Sequence, residues 1–158
     1  MNTVLITGAT SGIGRQLAED YAKQGIYVIA CGRNTDVLDE LADKYASIEA
    51  LAFDLTDLEQ SKQALSGLGN VPDLWIFNAG DCEYVDNGQI DAALFKRVMD
   101  INVLGLTNAI SACQDQFKKG HRLAIVGSIA SVSGYSEATH RLISARQATL
   151  AKPSILSA

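Results

Sequence analysis

A glycine-rich segment near the N-terminus has the residue types and the spacing of a phosphate-binding turn. It reads Thr7-Gly8-Ala9-Thr10-Ser11-Gly12-Ile13-Gly14 and directly follows the apolar run Val4–Ile6. Its three glycines let the backbone turn tightly and approach a ligand without a Cβ in the way. A helix that begins in this turn offers free N–H groups and the positive end of its dipole, which together favour a pyrophosphate.

The spacing of this segment, G-x-x-x-G-x-G, differs from the commonest dinucleotide fingerprint, G-x-G-x-x-G. It also lacks the Gly-Lys-Ser/Thr ending of a P-loop, which disfavours a nucleotide-triphosphate switch. The alternative to a ligand site is a plain glycine-rich connection between a strand and a helix. Because an apolar strand precedes the segment and a helical pattern follows it, we favour the dinucleotide site.

Small polar turns follow three later apolar runs of the chain: Asp54-Leu55, Asn78-Ala79-Gly80 and Ser128. In a doubly wound parallel sheet, the carboxyl ends of the strands open the ligand crevice. Each turn also has a plain interpretation, since Asp54 suits a helix N-cap and Ser128 suits any tight turn. Asn102 lies inside a long apolar helical pattern, where its amide must either bond locally or serve a site.

The second apolar run, Tyr27–Cys31, ends at Gly32-Arg33-Asn34, and no acidic residue occupies positions 31–35. A dinucleotide site that prefers NAD has an acid here for the ribose hydroxyls, whereas an arginine accommodates the 2′-phosphate of NADP. Arg33 is suited to a charge-assisted contact with that phosphate, and Arg15 is expected to add positive charge. The alternative is that both arginines are solvated surface residues. The pattern favours NADP over NAD.

Strand and helix patterns alternate along the chain, which is typical of βαβ units and a parallel sheet. Five short apolar runs predict its strands: 4–6, 27–31, 48–53, 74–77 and 123–126. The sequence therefore predicts one doubly wound α/β domain over residues 1–138, with an atypical tail over 139–158. Asn34 or Thr35 is expected to cap the second helix, and Leu58 and Leu65 to face inward from the third.

A helical pattern from residue 91 to about residue 117 exceeds the usual helix length and has a broad apolar surface over 94–113. Such a surface is typical of a helix that packs under the sheet and against a second helix. We therefore expect a homodimer through this long helix.

Composition limits the classes of function. The chain has 158 residues and a net charge of −5, which suits one domain and argues against nucleic acid or anionic membrane as a partner. No apolar run approaches the roughly 20 residues of a membrane span, and the N-terminus lacks a signal-peptide pattern. Three scattered cysteines without a C-x-x-C pair suit a reducing cytoplasm and are expected to fill core space. We predict no metal site.

These motifs together resemble the short-chain dehydrogenase/reductase family. Thr7–Gly14 matches the family's cofactor loop T-G-x-x-x-G-x-G in full, and four further landmarks follow in the right order. The resemblance implies a Rossmann-like doubly wound sheet, of which about five strands are present and the C-terminal part is missing. The cofactor-binding residues predicted from it, with Arg33 added, are Thr7, Gly8, Thr10, Ser11, Gly12, Ile13, Gly14, Arg33, Asp54, Leu55, Asn78, Ala79 and Gly80.

The resemblance also implies individual roles. Asp54 would contact the adenine ring, and Asn78-Ala79-Gly80 corresponds to the family's N-A-G turn. Asn102 would be the active-site asparagine that holds a proton-relay water, and Ser128 the serine that orients the substrate carbonyl. The implied reaction is hydride transfer between NADP(H) and a small-molecule carbonyl or alcohol.

The family's Tyr-x-x-x-Lys pair, whose i, i+4 spacing places both side chains on one helix face, does not occur in this sequence. Family spacing would place it at Arg141 and Ala145, and Tyr135 comes too early. His140 is a conceivable proton donor, but a lone histidine in an irregular tail is more often just exposed. We therefore expect an impaired enzyme.

The tail differs from the rest in charge. Residues 139–158 hold three basic residues and no acid, although residues 1–138 hold every one of the 18 acids. One explanation is a truncated or frame-shifted reductase sequence, and the other is a short, non-catalytic dinucleotide-binding or sensing module. Because the acidic residues end just before the position of the expected tyrosine, the composition favours a truncated or frame-shifted reductase sequence. In either case, the fifth strand is expected to have an exposed edge and exposed apolar surface.

Overall fold

The computed structural model describes residues 1–85, 91–127 and 141–142. Its strands are β1 (Thr3–Thr7), β2 (Tyr27–Gly32), β3 (Ile48–Ala52), β4 (Leu74–Phe77), β5 (Tyr84–Val85), β6 (Arg122–Ile125) and β7 (Arg141–Leu142). Its α-helices are α1 (Gly12–Lys23), α2 (Thr35–Lys44), α3 (Leu58–Leu65), α4 (Ala92–Met99) and α5 (Leu106–Cys113). A π-helical segment, Asp100–Gly105, joins α4 to α5, and a 3-10 turn, Gln114–Gln116, follows α5.

Five strands form one parallel sheet in the order β3-β2-β1-β4-β6, while β5 and β7 form a separate antiparallel pair. β1 lies in the middle, with Val4 opposite Val28 on one side and Leu74 on the other. Its apolar residues are fully buried because helices cover both faces of the sheet. The predicted five-stranded, doubly wound α/β fold is confirmed.

The two faces of the sheet carry separate cores, since successive side chains of a strand point to opposite faces. On one face, Val4 and Ile6 pack with apolar residues of α1 and α2. On the other, Leu5 packs with Trp75 and with apolar residues of α3 and α5. The Trp75 ring meets the Phe117 ring edge to face, with centroids 5.1 Å apart. Both layers position the strand ends where the predicted site residues lie.

Several predictions about helices and buried residues can be compared with the structure. Asn34 caps α2, because its side chain accepts a hydrogen bond from the Val37 N–H at 3.2 Å. Leu65 is buried, but the inward prediction for Leu58 is wrong, since this first residue of α3 is exposed. The core-filling prediction holds for Cys31 and Cys113 and is wrong for the exposed Cys82.

The long helical pattern becomes one nearly continuous rod of α4, the π-helical segment and α5. Gly105 lies at a close contact of this rod with the loop after β3, since a Cβ there would lie 3.3 Å from the Leu55 Cβ. Phe95 and Leu104 remain 42% and 54% exposed. β6 is the outermost strand of the parallel sheet within the described residues, and Ile125 on it is exposed, as expected for an edge.

Some of the predictions concern residues that the structure does not describe. Ser128, Tyr135, His140 and positions 143–158 lie outside the described residues. Within the residues that are described, no helix is long and apolar enough to span a membrane. The same residues contain no cluster of potential ligands that could hold a metal ion.

Candidate functional site

A cavity of about 500 Å³ opens at the carboxyl ends of β1, β2, β3 and β4. This is the edge at which a doubly wound sheet presents its ligand crevice. Its lining comes from the glycine-rich loop, the ends of β2 and β3, the turn after β4 and the π-helical segment. The lining residues are Gly8, Thr10, Ser11, Gly12, Ile13, Cys31, Gly32, Arg33, Asn34, Phe53, Asp54, Leu55, Asn78, Ala79, Gly80, Asp81 and Ile101.

Steric requirements explain the glycines of the loop. Gly8 and Gly12 have φ values of 70° and 50°, a left-handed conformation that residues with a Cβ rarely adopt. A Cβ on Gly14 would lie 2.1 Å from the Gly8 carbonyl oxygen and 2.4 Å from Asn78 Nδ2. A Cβ on Gly8 would lie 2.7 Å from Ala79 Cα. The spacing G-x-x-x-G-x-G therefore reflects two left-handed backbone positions, Gly8 and Gly12, and two close contacts with the turn after β4, at Gly8 and Gly14.

Hydrogen bonds fix the loop to β4. The Thr7 hydroxyl oxygen accepts the backbone N–H groups of Asn78 and Ala79, both at 3.0 Å. The Asn78 amide nitrogen donates to the carbonyl oxygens of Thr7 and Gly8 at 3.1 and 3.3 Å. Thr7 is buried, and neither it nor Gly14 lines the cavity, so these two predicted residues shape the loop from behind.

The N-terminus of α1 is open toward the cavity. Ser11 is the N-cap residue in an extended conformation, yet within the described chain no side chain caps the helix. Ser11, Gly12 and Ile13 all line the cavity, and the first turn carries no acid. Uncapped N–H groups and the positive end of a helix dipole are the features that attract a phosphate group.

Among the described residues that line the cavity, Arg33 is the one cation, and Asp54 and Asp81 are the carboxylates. Arg33 Nη1 lies 3.7 Å from Asp54 Oδ2, and the side chains are 69% and 32% exposed. The expectation that Arg15 adds charge to this pocket is wrong. Its guanidinium lies 2.7 Å from Glu40 Oε1 and 3.5 Å from Glu19 Oε1, and it does not line the cavity. The hydrogen bond that Arg15 donates to Glu40 raises the pKa of Arg15.

Asn102 holds the turn that follows Gly80. Only 3% of it is exposed, and its amide makes two bonds with the backbone of Asp81, both of 2.8 Å. Its Oδ1 accepts the Asp81 N–H, and its Nδ2 donates to the Asp81 carbonyl oxygen. The π-helical segment thus carries a buried amide that fixes one wall of the cavity.

Comparison with known proteins agrees with this geometry. The sequence model of the short chain dehydrogenase family matches residues 2–143. The chain belongs to the short-chain dehydrogenase family. It is 37% identical over 111 residues to serine 3-dehydrogenase of Rhizobium radiobacter, an alignment that covers 67% of this chain and 45% of that protein.

Solved structures resemble this short-chain dehydrogenase closely. Serine dehydrogenase from Escherichia coli superposes with a TM-score of 0.77 at 25% identity, covering 84% of this chain and 65% of that one. A closed form of serine dehydrogenase, complexed with NADP⁺, gives the same TM-score and identity over 84% of this chain and 56% of its own. The chain spans about half the length of the curated relatives that it matches.

Six residues line the cavity of this short-chain dehydrogenase without having been predicted: Cys31, Gly32, Asn34, Phe53, Asp81 and Ile101. Five of the six are immediate chain neighbours of predicted residues, and Cys31 lies two positions before Arg33, so a wider window around each predicted position would have included them. That residue 32 is a glycine was a further signal in the sequence, because a Cβ there would lie 2.6 Å from Thr10 Cγ2. Ile101 reaches the cavity through the turn of the π-helical segment, which apolar periodicity does not reveal.

Proposed function

We propose that this chain binds NADP(H) in the cavity and is the cofactor-binding part of an oxidoreductase acting on a carbonyl or alcohol. The observation that carries the proposal is the rigid glycine loop, which presents the uncapped N-terminus of α1 to a cavity with Arg33 at its rim. Membership of the short-chain dehydrogenase family supports the reaction class. The related serine dehydrogenase complexed with NADP⁺ supports the cofactor.

The residues present fit a dinucleotide. A Cβ on Gly12 would meet no atom within 4 Å, so the loop leaves open space above the end of α1. Backbone N–H groups from Ser11 to Ile13 would hold the pyrophosphate, and Asp54 with Leu55 would contact the adenine. Arg33 would bind the 2′-phosphate. The bound cofactor supplies a hydride at the nicotinamide C4.

We assign two residues to the chemical step. Ser128 would polarise the substrate oxygen, and Asn102 would hold the proton-relay water beside the Asp81 turn. Since the sequence lacks the Tyr-x-x-x-Lys pair, slow turnover or none is expected of this chain. The second candidate, a non-catalytic dinucleotide-binding or sensing module, also accounts for the missing pair, although the loss of acidic residues just before the expected tyrosine favours the reductase. A measurable NADPH-dependent carbonyl reductase rate, from protein of verified intact mass, would exclude that second candidate.

Arg33→Asp tests the cofactor assignment. We expect NADPH affinity to fall about tenfold or more, because a bidentate charged contact becomes a repulsion, while NADH affinity changes by less than about twofold. Fluorescence titration with each dinucleotide measures both constants. Arg97→Asp is a matched control, since Arg97 is also an exposed arginine in a loose pair, 3.6 Å from Glu83, and does not line the cavity.

Two outcomes would count against the proposal. Equal losses for NADPH and NADH in Arg33→Asp would remove the preference for NADP. A wild-type protein that binds neither dinucleotide would remove the cofactor site itself.

We also propose a homodimer through α4 and α5 and a location in the cytoplasm. The exposed Phe95 and Leu104 support the first, because large apolar side chains on one helical rod favour burial against a partner. The free thiols of Cys31 and Cys113 support the second. Light scattering gives the mass that tests the dimer.

A further inference from the structure

The ion pair at the rim of the cavity is loose. At 3.7 Å, the contact between Arg33 Nη1 and Asp54 Oδ2 is longer than a hydrogen bond, and most of the arginine is exposed. Exposed ion pairs of this kind contribute little stability. The guanidinium can therefore exchange Asp54 for a stronger anion at small cost.

Asp54, by contrast, is fixed. Its Oδ1 accepts hydrogen bonds from the backbone N–H and the hydroxyl of Thr56, at 2.9 and 2.8 Å. Its own backbone N–H donates to Gln60 Oε1 at 3.1 Å. These bonds hold the carboxylate on the turn after β3, with Oδ2 on the side of Arg33. The arginine can leave this pair, but the carboxylate cannot follow it.

The sign of the charges makes the pair a competitor for phosphate. Among the described residues that line the cavity, Arg33 is the one cation, and Asp54 is the carboxylate paired with it. A 2′-phosphate carries up to two negative charges and attracts a guanidinium more strongly than a single carboxylate does. When Arg33 turns to the phosphate, Asp54 is left as a nearby charge of the same sign as the ligand.

We propose that Asp54 is the counter-ion that a 2′-phosphate must displace from Arg33, so that Asp54 sets how strongly the site favours NADPH over NADH. This inference rests on the proposed function. In the NADH complex, Arg33 keeps its partner. In the NADPH complex, Asp54 loses its partner and repels the phosphate. This repulsion makes the preference for NADPH over NADH weaker than Arg33 alone would make it.

Asp54→Asn separates this role from any contact with adenine. Asparagine keeps one oxygen for the two Thr56 bonds, replaces the other oxygen with an amide nitrogen, and removes the charge. A changed adenine contact affects both dinucleotides equally and cancels in the ratio of their dissociation constants. We expect the preference for NADPH to rise about threefold to tenfold at low ionic strength, and this gain to shrink in 1 M salt.

Two further variants make the test specific. Asp57→Asn removes the same charge three residues away, where Asp57 caps α3 and asparagine caps equally well, so the ratio should stay unchanged. In an Arg33→Gln background there is no guanidinium to exchange and only the repulsion between Asp54 and the phosphate remains, so Asp54→Asn should raise the ratio clearly less than it does beside Arg33. Fluorescence titration of the full chain with NADPH and NADH measures every ratio.

The outcomes distinguish a failure of this inference from a failure of the proposed function on which it rests. An unchanged or lower ratio in Asp54→Asn, or an equal rise in the Arg33→Gln background, overturns the exchange and leaves the dinucleotide site intact. If the wild-type chain binds neither dinucleotide, the proposed function is wrong and the exchange is wrong with it.

Discussion

Asn102 illustrates how much a single buried amide can organise. Its two bonds with the Asp81 backbone join residues that are 21 positions apart and place the turn after Gly80 against the cavity. An asparagine inside an apolar helix is costly unless both halves of its amide are bonded. Here both halves are bonded, so the residue that the family resemblance assigns to proton relay also holds one wall of the proposed site.

Asn102→Ala should therefore destabilise the fold. The variant leaves the Asp81 N–H and carbonyl oxygen without these partners, and we expect a loss of about 1 to 3 kcal/mol in the free energy of unfolding. Urea denaturation measures it. Thr107→Ala is the control, because within the described part of the chain this exposed hydroxyl bonds only to the Val103 carbonyl oxygen, one turn earlier in the same helical rod. Equal unfolding midpoints for the two variants would contradict the assigned role.

The contacts of single residues could be predicted from the sequence where the two partners lie close together along the chain. Asn34 was predictable as a cap because the group that donates to its side chain, the Val37 N–H, lies three residues away. Of the two partners of Arg15, Glu19 lies four residues away on α1, but the nearer contact, Glu40, was not predictable because it lies 25 residues away on α2. Only the packing of α1 beside α2 brings these charges together, and that packing removes Arg15 from the pocket.

The glycine loop depends on its contact with the turn after β4 more than on its own flexibility. At Gly14 an added methyl group would collide with the Gly8 carbonyl oxygen and with Asn78, which other bonds already hold. At Gly12 an added methyl group meets nothing within 4 Å, although its φ of 50° is strained for any residue with a Cβ. The two glycines serve different purposes.

Alanine substitutions should separate those purposes. We expect Gly14→Ala to cost about 3 kcal/mol of unfolding free energy, because backbone atoms must move to admit the methyl group. Gly12→Ala should cost about 1 kcal/mol, from the left-handed backbone alone. Thermal and urea unfolding compare the two variants, and a larger loss for Gly12→Ala would show that the close contact at Gly14 is not what fixes the loop.

The long helix shows the limit of periodicity. A repeat near 3.6 residues predicts one α-helix through 91–117, and the structure does contain a nearly continuous rod. It also contains the π-helical segment, whose wider turn brings both Asn102 and Ile101 to the site. Apolar residues recur on one face in either case, so their spacing does not distinguish the two kinds of turn.

For the molecule as a whole, the sequence predicted the number of strands in the parallel sheet and the edge of the sheet at which the cavity opens. Both follow from alternating patterns and from the rule that crevices open at the carboxyl ends of parallel strands. Exposure of Ile125 on β6 also matched expectation. The antiparallel pair of β5 and β7 was not predicted, because two-residue strands leave no periodic pattern to detect.

Acid should destabilise the fold through carboxylates that hold distant segments together. Asp73, just before β4, accepts the backbone N–H groups of Asn2 and Thr3 at 2.6 and 3.1 Å, and these bonds lower its pKa. Glu19 also has a lowered pKa, mainly from its hydrogen bond with Lys44 on α2. A carboxyl group whose pKa is lower in the folded chain than in the unfolded chain stabilises the fold fully at any pH above its pKa in the unfolded chain. That stabilisation is lost as the pH falls through the pKa that the group has in the folded chain.

Asp73→Asn tests this dependence. We expect a lower Tm than wild type at pH 7, and the difference should narrow as the pH falls from about 4 and close near pH 2 to 3, where the wild-type carboxyl is also neutral. Thermal unfolding followed from pH 7 to 2.5 measures it. Asp39→Asn, at an exposed position of α2, should follow the wild type at every pH. A constant difference for Asp73→Asn would point to a cause other than ionisation.

The bonds between Thr7 and Asn78 also bear on how the protein is made. The glycine loop is translated early, yet the residue that fixes its shape follows Thr7 by 71 positions. A nascent chain that has passed the loop but not β4 contains the motif without the contacts that hold it. The proposed dinucleotide site would therefore be complete only after β4 has been made and has joined β1, and dinucleotide binding by nascent chains of increasing length would report that step.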